Sequence, residues 1–216
     1  MSATTRPERE SAPQRRAFWL KTLHQWHWIS SALCLTSLLL FAATGITLNH
    51  AARIEAKPVT ITHEQQLPDA LLGELAASTV EADSEAPLPR GVQRWLRAEL
   101  GITRAGNDAE WSDAEVYLPL PRPGGDAWLS IDRADGTVTH EVTDRGWISY
   151  FNDLHKGRHT GAAWSWFIDI FAVACLVFAG TGLFLLQLHG GNRPGTWPVV
   201  GLGVIAPLLL ALLFIH

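Results

Sequence analysis

The chain has 216 residues, with 17 Lys and Arg against 21 Asp and Glu, a formal net charge of −4. Its apolar residues crowd into long runs near both ends, which excludes a single water-soluble globule. Residues 49–160 carry 11 Lys and Arg against 18 Asp and Glu, which excludes a basic nucleic-acid-binding surface.

The first apolar run, residues 29–48 (ISSALCLTSLLLFAATGITL), has no charge, and its 20 residues at about 1.5 Å each cover the hydrocarbon core of a bilayer. Arg15, Arg16 and Lys21 precede it, so a cleaved signal peptide is the alternative reading. The run is longer than the apolar core of such peptides, about 7–15 residues, and two more runs follow, so it is read as a span.

Residues 51–146 mix polar and apolar positions like a small soluble domain. Between 88 and 102, Val92, Trp95, Leu96 and Leu100 recur at three- and four-residue steps before Gly101, which predicts an amphipathic helix. From 114 to 142 the alternation is that of strands, broken by Pro-Gly-Gly and Ala-Asp-Gly turns. Residues 63–87 are less regular: EQQLPDALLGELAAS is read as a helix and EADSEAPLP as a linker. The domain is thus expected to set a helix against a short antiparallel sheet. His63 and His140 fall here and are set aside as surface residues.

Residues 167–188 form a second span with one charge, Asp169, near its start, and residues 197–215 form a third, with Pro207 as an expected kink. Six of the ten tryptophans (Trp19, Trp26, Trp28, Trp164, Trp166, Trp197) flank the spans, where amphipathic rings favour the headgroup level. Basic residues before the first span and Arg193 in the 189–196 link put these flanks in the cytoplasm, and the 49–160 segment on the other side. Cys34 and Cys175 lie inside spans and read as small apolar residues.

The expected fold is membrane α-helical, three transmembrane helices with a small α+β domain inserted between helices 1 and 2. Residues 1–23 are a cytoplasmic tail, 24–50 helix 1 with flanks, 51–150 the soluble domain, 151–189 helix 2 with flanks, 190–196 a cytoplasmic loop and 197–216 helix 3.

Six of the nine histidines cluster at the ends of the first two spans. LHQWHW (His24, His27) opens the first, and FAATGITLNH closes it at His50; LHKGRHTG (His155, His159) opens the second, and FAGTGLFLLQLH closes it at His189. With the two helices antiparallel, His24 and His27 meet His189 at one membrane face, and His50 meets His155 and His159 at the other. His27 and His50 are 23 residues apart, about 35 Å of helix. Paired neutral imidazoles between apolar helix walls suit axial ligation of haem iron, with Gly45, Gly180 and Gly182 allowing close approach and Thr44 and Thr181 offering hydrogen bonds. Met1 is the sole methionine and there is no Cys-x-x-Cys-His, so the expectation is b-type haem, two groups, bis-histidine. The competing reading makes these histidines amphipathic end-markers and the Thr-Gly pairs helix-packing features. Asp169 either bonds a histidine ring or reaches to water, and His216 is a spare ligand.

RRAFWLKTLHQWHWISSALCLTSLLLFAATGITLNH, DLHKGRHTGAAWSWFIDIFAVACLVFAGTGLFLL and the DAWLSIDRADGTVTH hairpin resemble the PepSY-associated transmembrane-helix proteins of bacteria. That resemblance implies an inner-membrane protein with a periplasmic PepSY-like domain. Some larger members of that family are similar to haem-containing reductases that pass electrons across the membrane to ferric siderophores. The residues so implicated are His50 with His155 or His159, and His24 or His27 with His189. The implied partners are the lipid bilayer, a ferric siderophore or other ferric chelate, a cytoplasmic electron donor, and a second copy or partner subunit that completes the haem walls. PepSY modules also bind and restrain peptidases, so the rival expectation is a cofactor-free, membrane-tethered interaction or regulatory protein.

Overall fold

The computed structural model describes residues 12–54, 57–190 and 193–215. Three helices are long and apolar enough to cross a membrane: α1 (Ala12–Asn49), α5 (Ala162–His189) and α6 (Thr196–Phe214). Each contains a predicted span, and α1 starts well upstream of its apolar run, so the second half of the basic tail is helical. Pro207 lies inside α6, which runs through it. None of the residues of α5 or α6 is buried, and Leu176, Phe184, Leu202 and Leu212 are each more than half exposed. Such apolar surface is stable only against lipid or another apolar partner.

The chain divides into two compact units, residues 1–40 with 166–216, and residues 41–165. In the first, His27 of α1 stacks on Phe178 of α5 with centroids 4.7 Å apart, and Ser30 donates its hydroxyl to Trp26 O at 2.7 Å.

The second unit contains a six-stranded antiparallel sheet in the order β1-β6-β5-β4-β3-β2. Its strands are β1 (Val59–Gln66), β2 (Ser84–Pro87), β3 (Asp108–Trp111), β4 (Glu115–Pro119), β5 (Gly125–Asp132) and β6 (Thr137–Asp144). Helices α2 (Asp69–Ala76) and α3 (Arg90–Glu99) join strands β1 to β2 and β2 to β3, and α4 (Gly146–Lys156) follows β6. The predicted helix is α3; Val92 and Leu96 point from it into a core of Leu67, Leu75, Trp111, Val116, Leu118, Leu129, Ile131 and Val138. Every second residue of β5 is buried, as expected of a sheet packed on one face.

Two expectations for residues 63–87 are corrected. EQQ belongs to β1, with the helix confined to Asp69–Ala76 after Pro68, and SEAP within the supposed linker is β2, paired with β3. The sheet therefore gains three strands beyond the expected ones.

The PRPGGD turn docks against α4. Gly124 has φ +76°, its amide donates to the buried Asp153 carboxylate at 2.8 Å, and a Cβ there would meet Tyr150 Cα at 2.7 Å. Only glycine meets both demands.

Candidate histidine site

In α1, Phe41, Thr44 and Gly45 are spaced so that they share one helix face, and in α5 Phe178, Thr181 and Gly182 repeat the arrangement. Each face forms a cradle for one imidazole. His155 of α4 enters the first: its ring packs on Phe41 with centroids 5.0 Å apart, and its Nδ1 is 2.7 Å from Thr44 Oγ1. A Cβ on Gly45 would lie 3.5 Å from its Cε1. His27 of α1 enters the second, stacked on Phe178 at 4.7 Å, with Nδ1 3.0 Å from Thr181 Oγ1 and 3.2 Å from Phe178 O. Here the corresponding Gly182 Cβ would lie 3.4 Å from Cε1. Gly180, also expected to serve close approach, faces open space.

The F-A-x-T-G repeat is thus a phenyl wall, a hydroxyl and a gap for an incoming histidine. Its structural equivalence differs from that of the sequence: the leading Leu-His pairs would match His24 with His155, whereas the cradles match His27 with His155.

The hydrogen bonds also assign tautomers. A carbonyl oxygen only accepts, so His27 donates from Nδ1–H toward Phe178 O. Thr44 and Thr181 have carbonyls of their own helices to donate to, Phe41 O at 3.2 Å and Val177 O at 2.7 Å, which leaves each hydroxyl to accept an imidazole N–H. His24, His50 and His189 each donate Nδ1–H to the carbonyl four residues earlier, Leu20 O at 2.8 Å, Ile46 O at 3.0 Å and Leu185 O at 2.9 Å. These five histidines therefore carry the lone pair on Nε2, with the other nitrogen fixed, as in a ligating imidazole. His159 differs: it has φ +58° and its Nε2 accepts from Arg158 Nε at 3.2 Å.

Of the expected groupings, His24 and His189 are brought together, their rings edge to face with centroids 5.8 Å apart. α1 and α5 also border an open groove of about 500 Å³ lined by Trp19, Leu23, Phe184 and Leu188, with Arg16 and Gln187; neither His24 nor His189 lines it. His50 makes no ring contact or hydrogen bond with His155 or His159. The buried Thr160 hydroxyl, next to His159, has no partner. His24, His189, His50 and His155 each present a free Nε2, the donor type that a haem iron takes. Among the described residues no three His, Cys, Asp or Glu gather as a site for a bare metal ion. Asp169 is exposed and bonds no histidine. His216 lies outside the described residues.

One histidine pair escaped the sequence reading. His63 of β1 and His140 of β6 stand directly opposite in the sheet, their rings stacked at 6.5 Å. Burial, then the charge of His63, holds His140 below its ordinary value of 6.5. The signal available in sequence was the alternation of VTITH, which would have placed His63 on a strand.

A family model for PepSY_TM-like proteins matches residues 18–216. The chain belongs to the PepSY_TM-like family. The match runs from α1 through the sheet and α4 to α5 and α6, so this PepSY_TM-like chain is a membrane protein whose sheet domain lies between its first two long apolar helices. No curated protein and no solved structure matches it.

Proposed function

We propose that this chain is a b-type haem protein of the bacterial inner membrane that transfers electrons across the bilayer to a ferric siderophore or other ferric chelate. The observation that carries the reading is the His24–His189 pair: two Nε2 lone pairs on α1 and α5, with 5.8 Å between rings. His24 and His189 would hold one haem, and His50 and His155 a second. Bound there, haem supplies reversible one-electron chemistry that the side chains themselves lack.

The chain's own residues do the rest. The Leu20 and Leu185 carbonyls hold Nδ1–H and so keep Nε2 basic and aimed. Trp19, Leu23, Phe184 and Leu188 give the neighbouring groove an apolar surface, which in a bilayer would favour the less charged state of a redox centre held there. Arg16, at the same groove, suits an anionic substituent. The basic flank at Arg15, Arg16 and Lys21 supports a cytoplasmic N-terminus and a periplasmic sheet domain.

The test is reconstitution of the purified protein into vesicles with trapped reductant and external ferric citrate, with a ferrous-specific dye as readout. The expected result is external ferrous ion only in protein-containing vesicles; equal rates with and without protein contradict the reading.

A second reading, a PepSY module that binds a periplasmic peptidase or other partner, is favoured by one observation. Edge strand β1 is exposed along all eight residues and has an open hydrogen-bonding edge, the requirement for adding a partner's strand. A colourless preparation from haem-replete cells selects this reading.

A further inference from the structure

Helix α4 is amphipathic in an unusual sense: its polar Asn152 and Asp153 are buried, while Trp147, Ile148 and Phe151 are 76%, 43% and 38% exposed. The buried side explains itself. Asp153 holds the Gly124 amide, Asn152 Oδ1 accepts the Thr47 hydroxyl at 2.8 Å, and His155 sits in the Thr44 cradle. Thr44 and Thr47 belong to the last turns of the first apolar run, so these bonds fix α4 at the level where that span leaves the hydrocarbon. Trp164, in the first turn of α5, donates its indole N–H to Leu154 O at 2.9 Å. A helix held at that depth with a bare Trp-Ile-Phe face meets the headgroup and upper acyl region.

Next to Trp147 lies a cavity of about 470 Å³ lined by Lys57 and Arg145 together with Ala51, Ile54, Ser149 and Asn152. Among the described residues no carboxylate lines it; Glu55, between Ile54 and Lys57, lies outside them. Asp144, next to Arg145 in sequence, pairs with Arg122 at 3.6 Å. Two cations beside an exposed tryptophan at the bilayer boundary complement a phosphate that carries acyl chains.

We infer that α4 and the Lys57–Arg145 cavity form a binding site for the phosphate headgroup of an anionic phospholipid, with Trp147, Ile148 and Phe151 seated among its acyl chains. The site is separate from the histidines and stands whether or not they ligate haem.

The experiment is native mass spectrometry of the full chain in mild detergent, titrated with phosphatidylglycerol or phosphatidylcholine. The wild type retains phosphatidylglycerol at least about tenfold better; Lys57→Gln and Arg145→Gln each cut that preference about fivefold, and the double variant abolishes it. Arg122→Gln, which removes the cation already paired with Asp144, leaves the preference intact. Trp147→Ser weakens retention of both lipids. The inference is overturned by equal retention of the two lipids by the wild type, or by an unchanged preference in the double variant. It is also overturned if glycerol phosphate competes as well as the intact lipid, which would make the site one for a soluble phosphate.

Discussion

Thr44 and Thr181 each do for one imidazole what a main-chain carbonyl does for His24, His50 and His189: they take the Nδ1 proton and leave Nε2 free. Thr44→Val keeps the shape and removes the acceptor, and a stranded donor costs about 1–3 kcal/mol, toward the lower end here because His155 is half-buried. Thr181→Val is expected to cost less, since Phe178 O remains within 3.2 Å of His27 Nδ1. Thermal unfolding in detergent ranks the two, and nitrogen NMR of the imidazoles should show His155, but not His27, losing its single tautomer. His140 gives a pH signature. Its folded-state value is lowered by burial and by His63, so the unfolded chain takes up the proton first. Its contribution to sheet stability is complete above about 6.5 and is lost as pH falls from there through the lowered value. His140→Gln should flatten that part of the stability–pH curve; an unchanged slope assigns it to other groups. The six span-flanking histidines were legible because nothing else in the chain concentrates imidazoles so sharply. The cradles were not, because each F-A-x-T-G motif holds a histidine from elsewhere in the chain rather than the one that follows it.

At the level of elements, the long helices and α3 were legible because their patterns are long and strongly periodic. Strands β2 and β3 have four residues each, too few to display alternation, and β1 is exposed throughout, so no buried face marks it. Register carries the remaining information: His63 meets His140 only because Val59 pairs with Asp144 and the ladder runs on from there. Gly124 tests whether the β4–β5 turn anchors α4. Gly124→Ala combines a positive φ with a Cβ 2.7 Å from Tyr150 Cα, and should cost of order 3 kcal/mol in denaturant unfolding. Gly101→Ala is the control: φ is +66°, but nothing lies within 4 Å of its Cβ, so only the conformational cost of about 1 kcal/mol applies. Similar losses at both sites would mean that α4 does not lean on the turn.

For the whole molecule, the apolar runs announced a membrane protein, and the matched family agrees over residues 18–216. Haem is a claim of a different kind. Six histidines at the ends of apolar runs suggested ligands, and the proposal rests on one pair of them, His24 and His189, whose rings meet and whose Nδ1 protons are held by carbonyls. The decisive measurement is the visible spectrum, before and after dithionite, of detergent-purified wild type, His24→Ala, His189→Ala and His159→Ala from haem-replete cells. The account predicts a Soret band and a sharpened α-band in the wild type, loss of the same spectral component in both His24→Ala and His189→Ala, and an unaltered spectrum in His159→Ala. A colourless wild type, or His24→Ala and His189→Ala spectra identical to it, would contradict the account.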